Sequence, residues 1–116
     1  MCGIVGFKLF KKQRINPDKS LKEITNLLLH RGPDTQGYWK NENEKLYLGH
    51  TRLSIIDLSN EGNQPMESFD GRYVIVFNGE IYNYKILKAK LKTHKSQPEN
   101  VSDTRILIEL ISQYGV

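Results

Sequence analysis

Cys2 is the only cysteine among 116 residues, and it directly follows Met1. A residue as small as Cys at position 2 normally permits removal of the initiator methionine, which leaves a thiol and a free α-amino group on one residue. A thiol attacks as its thiolate and has a free pKa of about 8.5, while an α-amine titrates at about 7.7–8.0. Cys2 can therefore supply nucleophile and general base together, the amine taking the thiol proton directly or through one water. The alternative is a small apolar residue that begins a strand, as free cysteines mostly behave.

Three other positions have chemical potential of their own. Asn78-Gly79 follows the apolar run Arg72 to Phe77 and would present a side-chain amide beside an unhindered backbone N–H, the donors an oxyanion requires. Asn-Gly is equally a hairpin-turn dipeptide, but the residues after it, EIYNYKILKAKL, have helical spacing rather than that of a returning strand. Arg52 lies in the apolar run LYLGHTRLSII, where a guanidinium is costly to bury without an anion. Its planar fork fits a carboxylate, either a ligand's or that of Asp57 or Asp34. Ser102-Asp103 reads as a helix cap, and Asp103 alternatively as the holder of an ammonium. His30, His50 and His94 are too scattered and too poor in companion ligands for a metal site, so no metal is expected.

The elements that must position these groups follow from periodicity. Ile4, Val5, Phe7, Leu9 and Phe10 read as a strand that begins at the terminus, with Gly3 and Gly6 allowing close backbone approach. Leu21, Ile24, Leu27 and Leu28 recur at helical spacing and predict a helix from Ser20 to His30, capped by Asp18 or Ser20. The RGPD stretch is a loop, and GYW and KLYLGHTRLSII are two strands separated by Asn41 to Lys45. The turn-rich DLSNEGNQPMESFDG reads as a long surface loop, and RYVIVF as a buried strand. Ile81, Tyr84, Leu87 and Leu91 form one helical stripe. Ile106, Leu107, Leu110, Ile111 and Tyr114 form another, with Gly115 near its end. The order predicts an α+β layered domain with a small sheet.

Composition narrows the function classes. The 17 Lys and Arg against 13 Asp and Glu give a net charge of +4, but the cations are scattered. Lys8, Lys11, Lys12 and Arg14 read as a solvated hairpin end, without the aromatic residues or binding module of a nucleic-acid surface. One cysteine precludes an internal disulfide and suits a reducing, cytoplasmic setting. No apolar run approaches the roughly 18 residues of a membrane span, and no export signal opens the chain. Neither nucleic acid nor membrane is an expected partner.

In order along the chain stand MCGIVGF, RGPD with Gly37 three residues on, GHTRLSIIDLS, NQPM and FNGEIYNY. Five motifs in this order closely resemble the class II glutamine amidotransferase domain of asparagine synthetases. Relatives that aminate sugar phosphates share the terminal Cys and Gly-His-x-Arg, whereas RLSIIDL with NGEIYN looks like the asparagine synthetase branch. The resemblance covers most of the chain, from Cys2 through the helix after Ser102-Asp103.

The resemblance implies an N-terminal nucleophile hydrolase fold, an αββα sandwich, that hydrolyses L-glutamine to glutamate and ammonia. It makes Cys2 the nucleophile with its amine as base, and Asn78 and Gly79 the oxyanion hole. Arg52 would take the glutamine α-carboxylate, and Glu80 and Asp103 the α-ammonium. The backbone of Leu53, Ser54, Ile55 and Ile56 would line the pocket, with Asn78, Gly79 and Glu80 also touching substrate. Residues 1–116 would be the N-terminal portion of this domain, incomplete at the C-terminal side because a Gly-Met-Phe-Ala-Phe-like stretch is absent. The synthetase domain with its Ser-Gly-Gly-x-Asp-Ser loop is also missing. No cofactor is expected here, ATP and magnesium belonging to that domain, which would be the partner in cis or trans. A homodimer is left open. The alternative is a catalytically inactive fragment of the same fold that binds glutamine or a partner protein.

Overall fold

The computed structural model describes residues 2–11, 14–54, 62–91 and 101–116. Strand β1, Gly3–Lys8, starts next to Cys2, as the apolar alternation predicts. It pairs antiparallel with β3, Leu46–Arg52, which pairs on its other side with β2, Thr35–Asn41. The register sets Gly3 opposite Thr51 and Thr35 opposite Arg52. The C-terminal end of β3 is thus the central strand's end nearest Cys2.

Helix α1, Pro17–Asn26, covers one face of this sheet. It starts and ends earlier than the apolar spacing predicts. The Asn16 side chain, rather than Asp18 or Ser20, accepts the Lys19 N–H at 3.1 Å, and Pro17 sits at the first position with its φ already helical. After α1 the chain tightens into a 3-10 turn, Leu29–Arg31, and Thr51 Oγ1 donates to the Leu28 carbonyl at 3.1 Å. Val5, Leu21 and Tyr47 form the core here, with the Phe7 and Tyr47 rings stacked at 5.0 Å between centroids.

The stretch read as a surface loop is partly interior. Residues 55–61 fall outside the described ones, but Gly62, Gln64, Met66 and Ser68 are buried, because this segment passes between β2 and the last helix. Gly37 of β2 has no side chain and lets the Gln64 carbonyl lie against it, a position that a Cβ would occupy. Met66–Glu67 forms β4 and pairs with β5, Val74–Ile75. RYVIVF is therefore no six-residue buried strand. Only its centre is paired, its partner being just two residues long, and Tyr73 to Phe77 are half-buried.

Helix α2, Tyr84–Lys88, is shorter than its stripe suggests, and Leu91 beyond it is buried. Helix α3, Asp103–Tyr114, begins where Ser102 Oγ accepts the Arg105 N–H at 3.2 Å, the predicted cap. It buries Ile106 and Ile108 completely, leaves Tyr114 exposed and ends at Gly115. The α+β class is as expected, with two antiparallel sheets among the described residues.

Candidate functional site

The end of β3 carries Arg52 and lies beside Cys2, two of the residues that the sequence singles out. Thr51 is fully buried, and its hydroxyl accepts the Gly3 N–H at 3.1 Å while donating to Leu28. A Cβ on Gly3 would stand 2.6 Å from that hydroxyl and 2.8 Å from Leu28 Cβ, so only glycine fits beside the nucleophile candidate. From the RGPD loop, Arg31 Nε donates to the Cys2 carbonyl at 3.3 Å. Cys2 is half-buried. Two side chains thus hold the peptide that follows Cys2, at a chain end that would otherwise fray. Next to Arg31 lies an open cleft of about 430 Å³ lined by His30, Arg31, Pro33 and Leu53.

Arg52, 8% exposed, donates from Nη1 to Asn63 Oδ1 at 3.0 Å. Of the internal acids weighed against a ligand, Asp34 accepts the Ser54 N–H at 2.6 Å and donates its own N–H to the Arg52 carbonyl. That pairing shapes the backbone as it leaves β3. Asp57, Ile55 and Ile56 lie outside the described residues.

His50 is 1% exposed, and its Nε2 is unpartnered among the described residues. Burial pushes its pKa down to about 4, with the positive charge of Arg52 acting in the same direction and the adjacent Phe77 backbone opposing it. The ring is neutral at ordinary pH. It also brings the segment preceding Asn78 alongside β3. Asn78, Gly79 and Glu80 themselves are exposed. The chain on either side of them is anchored: the Phe77 N–H donates to Gln64 Oε1, and the Ile81 N–H donates to Asp103 Oδ2 at 2.9 Å.

Asp103 has a role beyond capping. Its Oδ1 accepts the Thr104 N–H at 2.7 Å while Oδ2 holds Ile81. Its carboxylate, with several lone pairs left to accept an ammonium's protons, therefore sits where α3 begins and the Asn78–Glu80 segment ends. Sequence reasoning missed Thr51, Asn63, Gln64 and Thr104 as contributors. Asn63 and Gln64 stood inside a noted motif, and the signal was two amides directly before a proline in a stretch otherwise full of turn formers. Among the described residues no three metal-ligating side chains converge, and no helix is long and apolar enough to cross a membrane.

The strand end thus carries a buried guanidinium next to the Cys2 peptide, and Asn63-Gln64 links it through Phe77 and Thr104 to the Asn-Gly segment and the start of α3. The family model of the glutamine amidotransferase domain matches residues 1–116. The chain belongs to that family. This amidotransferase domain is 40% identical over 125 residues to a Gibberella zeae protein named amidase chry2. It is 39% identical over 118 residues to glutamine-hydrolyzing asparagine synthetase 1 of Bacillus subtilis. With the glutamine-hydrolyzing asparagine synthetase of Zea mays the identity is 42% over 115 residues. These alignments cover 100%, 98% and 99% of the chain but only 18% of each relative. The asparagine synthetase likeness anticipated from RLSIIDL and NGEIYN is thereby met.

Proposed function

We propose that this domain hydrolyses L-glutamine through Cys2 and passes ammonia to an ATP-dependent domain of asparagine synthetase type. The observation that carries the reading is the end of β3. There Thr51 fixes the backbone next to Cys2, Arg52 is buried, and His50 lies against the segment leading to Asn78. Arg52 takes the α-carboxylate of glutamine, Asp103 and Glu80 the α-ammonium, and the backbone from Leu53 to Ile56 the side of the substrate. On this reading the two sheets belong to an N-terminal nucleophile hydrolase sandwich.

The chemistry balances with these groups alone. The freed α-amine of Cys2 takes the thiol proton, and sulfur attacks the γ-carbonyl to form a C–S bond. The carbonyl oxygen, now negative, is held by the Asn78 amide and the Gly79 N–H. As the C–N bond breaks, the α-ammonium returns its proton to the departing nitrogen, which leaves as ammonia. The amine then deprotonates a water that attacks the thioester, and a second oxyanion rests on the same donors before glutamate leaves and the thiol is restored. No cofactor takes part in these steps, and ATP and magnesium serve only the acceptor reaction.

The test is glutamate release from glutamine. It should disappear in Cys2→Ala and fall by about 10²-fold or more when one extra residue precedes Cys2 and turns the base into an amide. Equal rates with and without that residue would refute the amine as base. Release that survives Cys2→Ala would refute the site.

A further inference from the structure

The bonds of the Gln64 side chain leave in two directions, toward the segment ahead of Asn78 and toward the start of α3. Gln64 is 8% exposed, and its carbonyl oxygen accepts the Phe77 N–H while its amide nitrogen donates to Thr104 Oγ1 at 3.4 Å. Phe77 directly precedes Asn78, and Thr104 directly follows Asp103. The backbone on either side of Gln64 is also constrained. Its own carbonyl rests on Gly37 of β2, and its neighbour Asn63 accepts from Arg52 and, at 3.4 Å, from Thr35 Oγ1. Asn63-Gln64 thus touches the sheet edge, the guanidinium, the backbone ahead of Asn-Gly and the start of α3.

We propose that Gln64 is a positioning residue that fixes the oxyanion donors and the ammonium-binding carboxylate relative to one another, with Asn63 tying both to Arg52. This role rests on the glutaminase reading above. The physical reason is the sparse support of the Asn78–Glu80 segment. Those three residues are exposed, and the segment's two ends are anchored by the Phe77–Gln64 and Ile81–Asp103 bonds. Gln64 and Asp103 meet through Thr104, whose hydroxyl accepts from Gln64 and whose N–H donates to Asp103 Oδ1. The acceptor side of Gln64 therefore bears on the oxyanion, which exists only during reaction, and so on kcat. The donor side bears on Asp103, which grips substrate and transition state alike, and so on KM.

The experiment uses the full-length protein and compares Gln64→Met, which has similar bulk and no amide, with Thr104→Val and Thr104→Ser. Steady-state glutamate release is measured for each, and circular dichroism checks folding. Gln64→Met should lower kcat by about tenfold or more, part of the 10²–10³-fold that a whole oxyanion donor is worth. Thr104→Val should raise KM for glutamine about fivefold with kcat held within about twofold, and Thr104→Ser should restore it. A folded Gln64→Met with kcat within about twofold of wild type would overturn the role. If Gln64→Met does not fold, the Thr104 pair decides, and a Thr104→Val KM equal to that of Thr104→Ser overturns it. Wild-type protein that shows no Cys2-dependent release would overturn the glutaminase reading and this role with it. Cys2-dependent release beside a silent Gln64→Met would overturn the role alone.

Discussion

The two sides of the site are built by different means. Cys2 is held by strand pairing: β1 lies in continuous register on β3, Gly3 is pinned by Thr51, and α1 closes over the face. The Asn78–Glu80 segment has no such ladder and is spanned by side chains that arrive from residues 64 and 103. Backbone pairing fixes many atoms at once, so on the Cys2 side a single polar substitution that leaves the ladder intact should cost stability rather than alignment. A segment hung on a few side-chain bonds should lose alignment, and hence rate, long before it loses fold. The difference separates positions that protect the scaffold from positions that protect the chemistry.

The largest effect should come from Asn78→Ala. Asn78 is exposed, so thermal stability should stay within about 0.5 kcal/mol while kcat for glutamine hydrolysis falls by about 10²–10³-fold. A drop in melting temperature as large as the drop in rate would erase the contrast between the two sides. Next is Gly37→Ala, where a methyl group must enter space held by the Gln64 carbonyl. A backbone neighbour yields less readily than a flexible side chain, so denaturant unfolding should show a loss of roughly 3 kcal/mol. A neutral result would mean that the 62–66 segment does not lie against β2.

Thr51→Val tests the scaffold side at one hydroxyl. It leaves the buried Gly3 N–H and the Leu28 carbonyl without their partner, at a cost of about 1–3 kcal/mol. Thr51→Ser should recover most of this, and urea midpoints distinguish the two. The smallest effect is on acid stability. His50 is neutral in the fold, with its pKa lowered from 6.5 to about 4, so the unfolded chain binds the proton first. Its contribution to stability is complete above pH 6.5 and is lost progressively as the pH falls toward 4. Melting temperature measured across that window should decline less steeply in His50→Gln than in wild type.

The same contrast governs what could be read from the sequence. β1, β2, β3 and α3 were legible because alternation, helical spacing and the Ser102 cap are local signals. The start of α1 lies ahead of its apolar stripe, because the Asn16 cap and Pro17 come before Leu21, the first residue of that stripe. The segment around Gln64 was misread for a physical reason: its amides are buried against Phe77 and Thr104, partners 13 and 40 positions away that no local pattern reveals. Cys2, Arg52, Asn78 and Asp103 could be nominated because their side chains have distinctive chemistry. The residues that hold them, Thr51, Asn63 and Thr104, carry ordinary hydroxyls and amides whose roles exist only in three dimensions.

The most direct test of the central claim is to catch the acyl-enzyme. Full-length protein mixed with glutamine and quenched in acid during turnover should carry one glutamyl group on the peptide beginning with Cys2, and none in Cys2→Ala. Steady glutamate release with no adduct on that peptide, or with the adduct on another residue, would contradict the account.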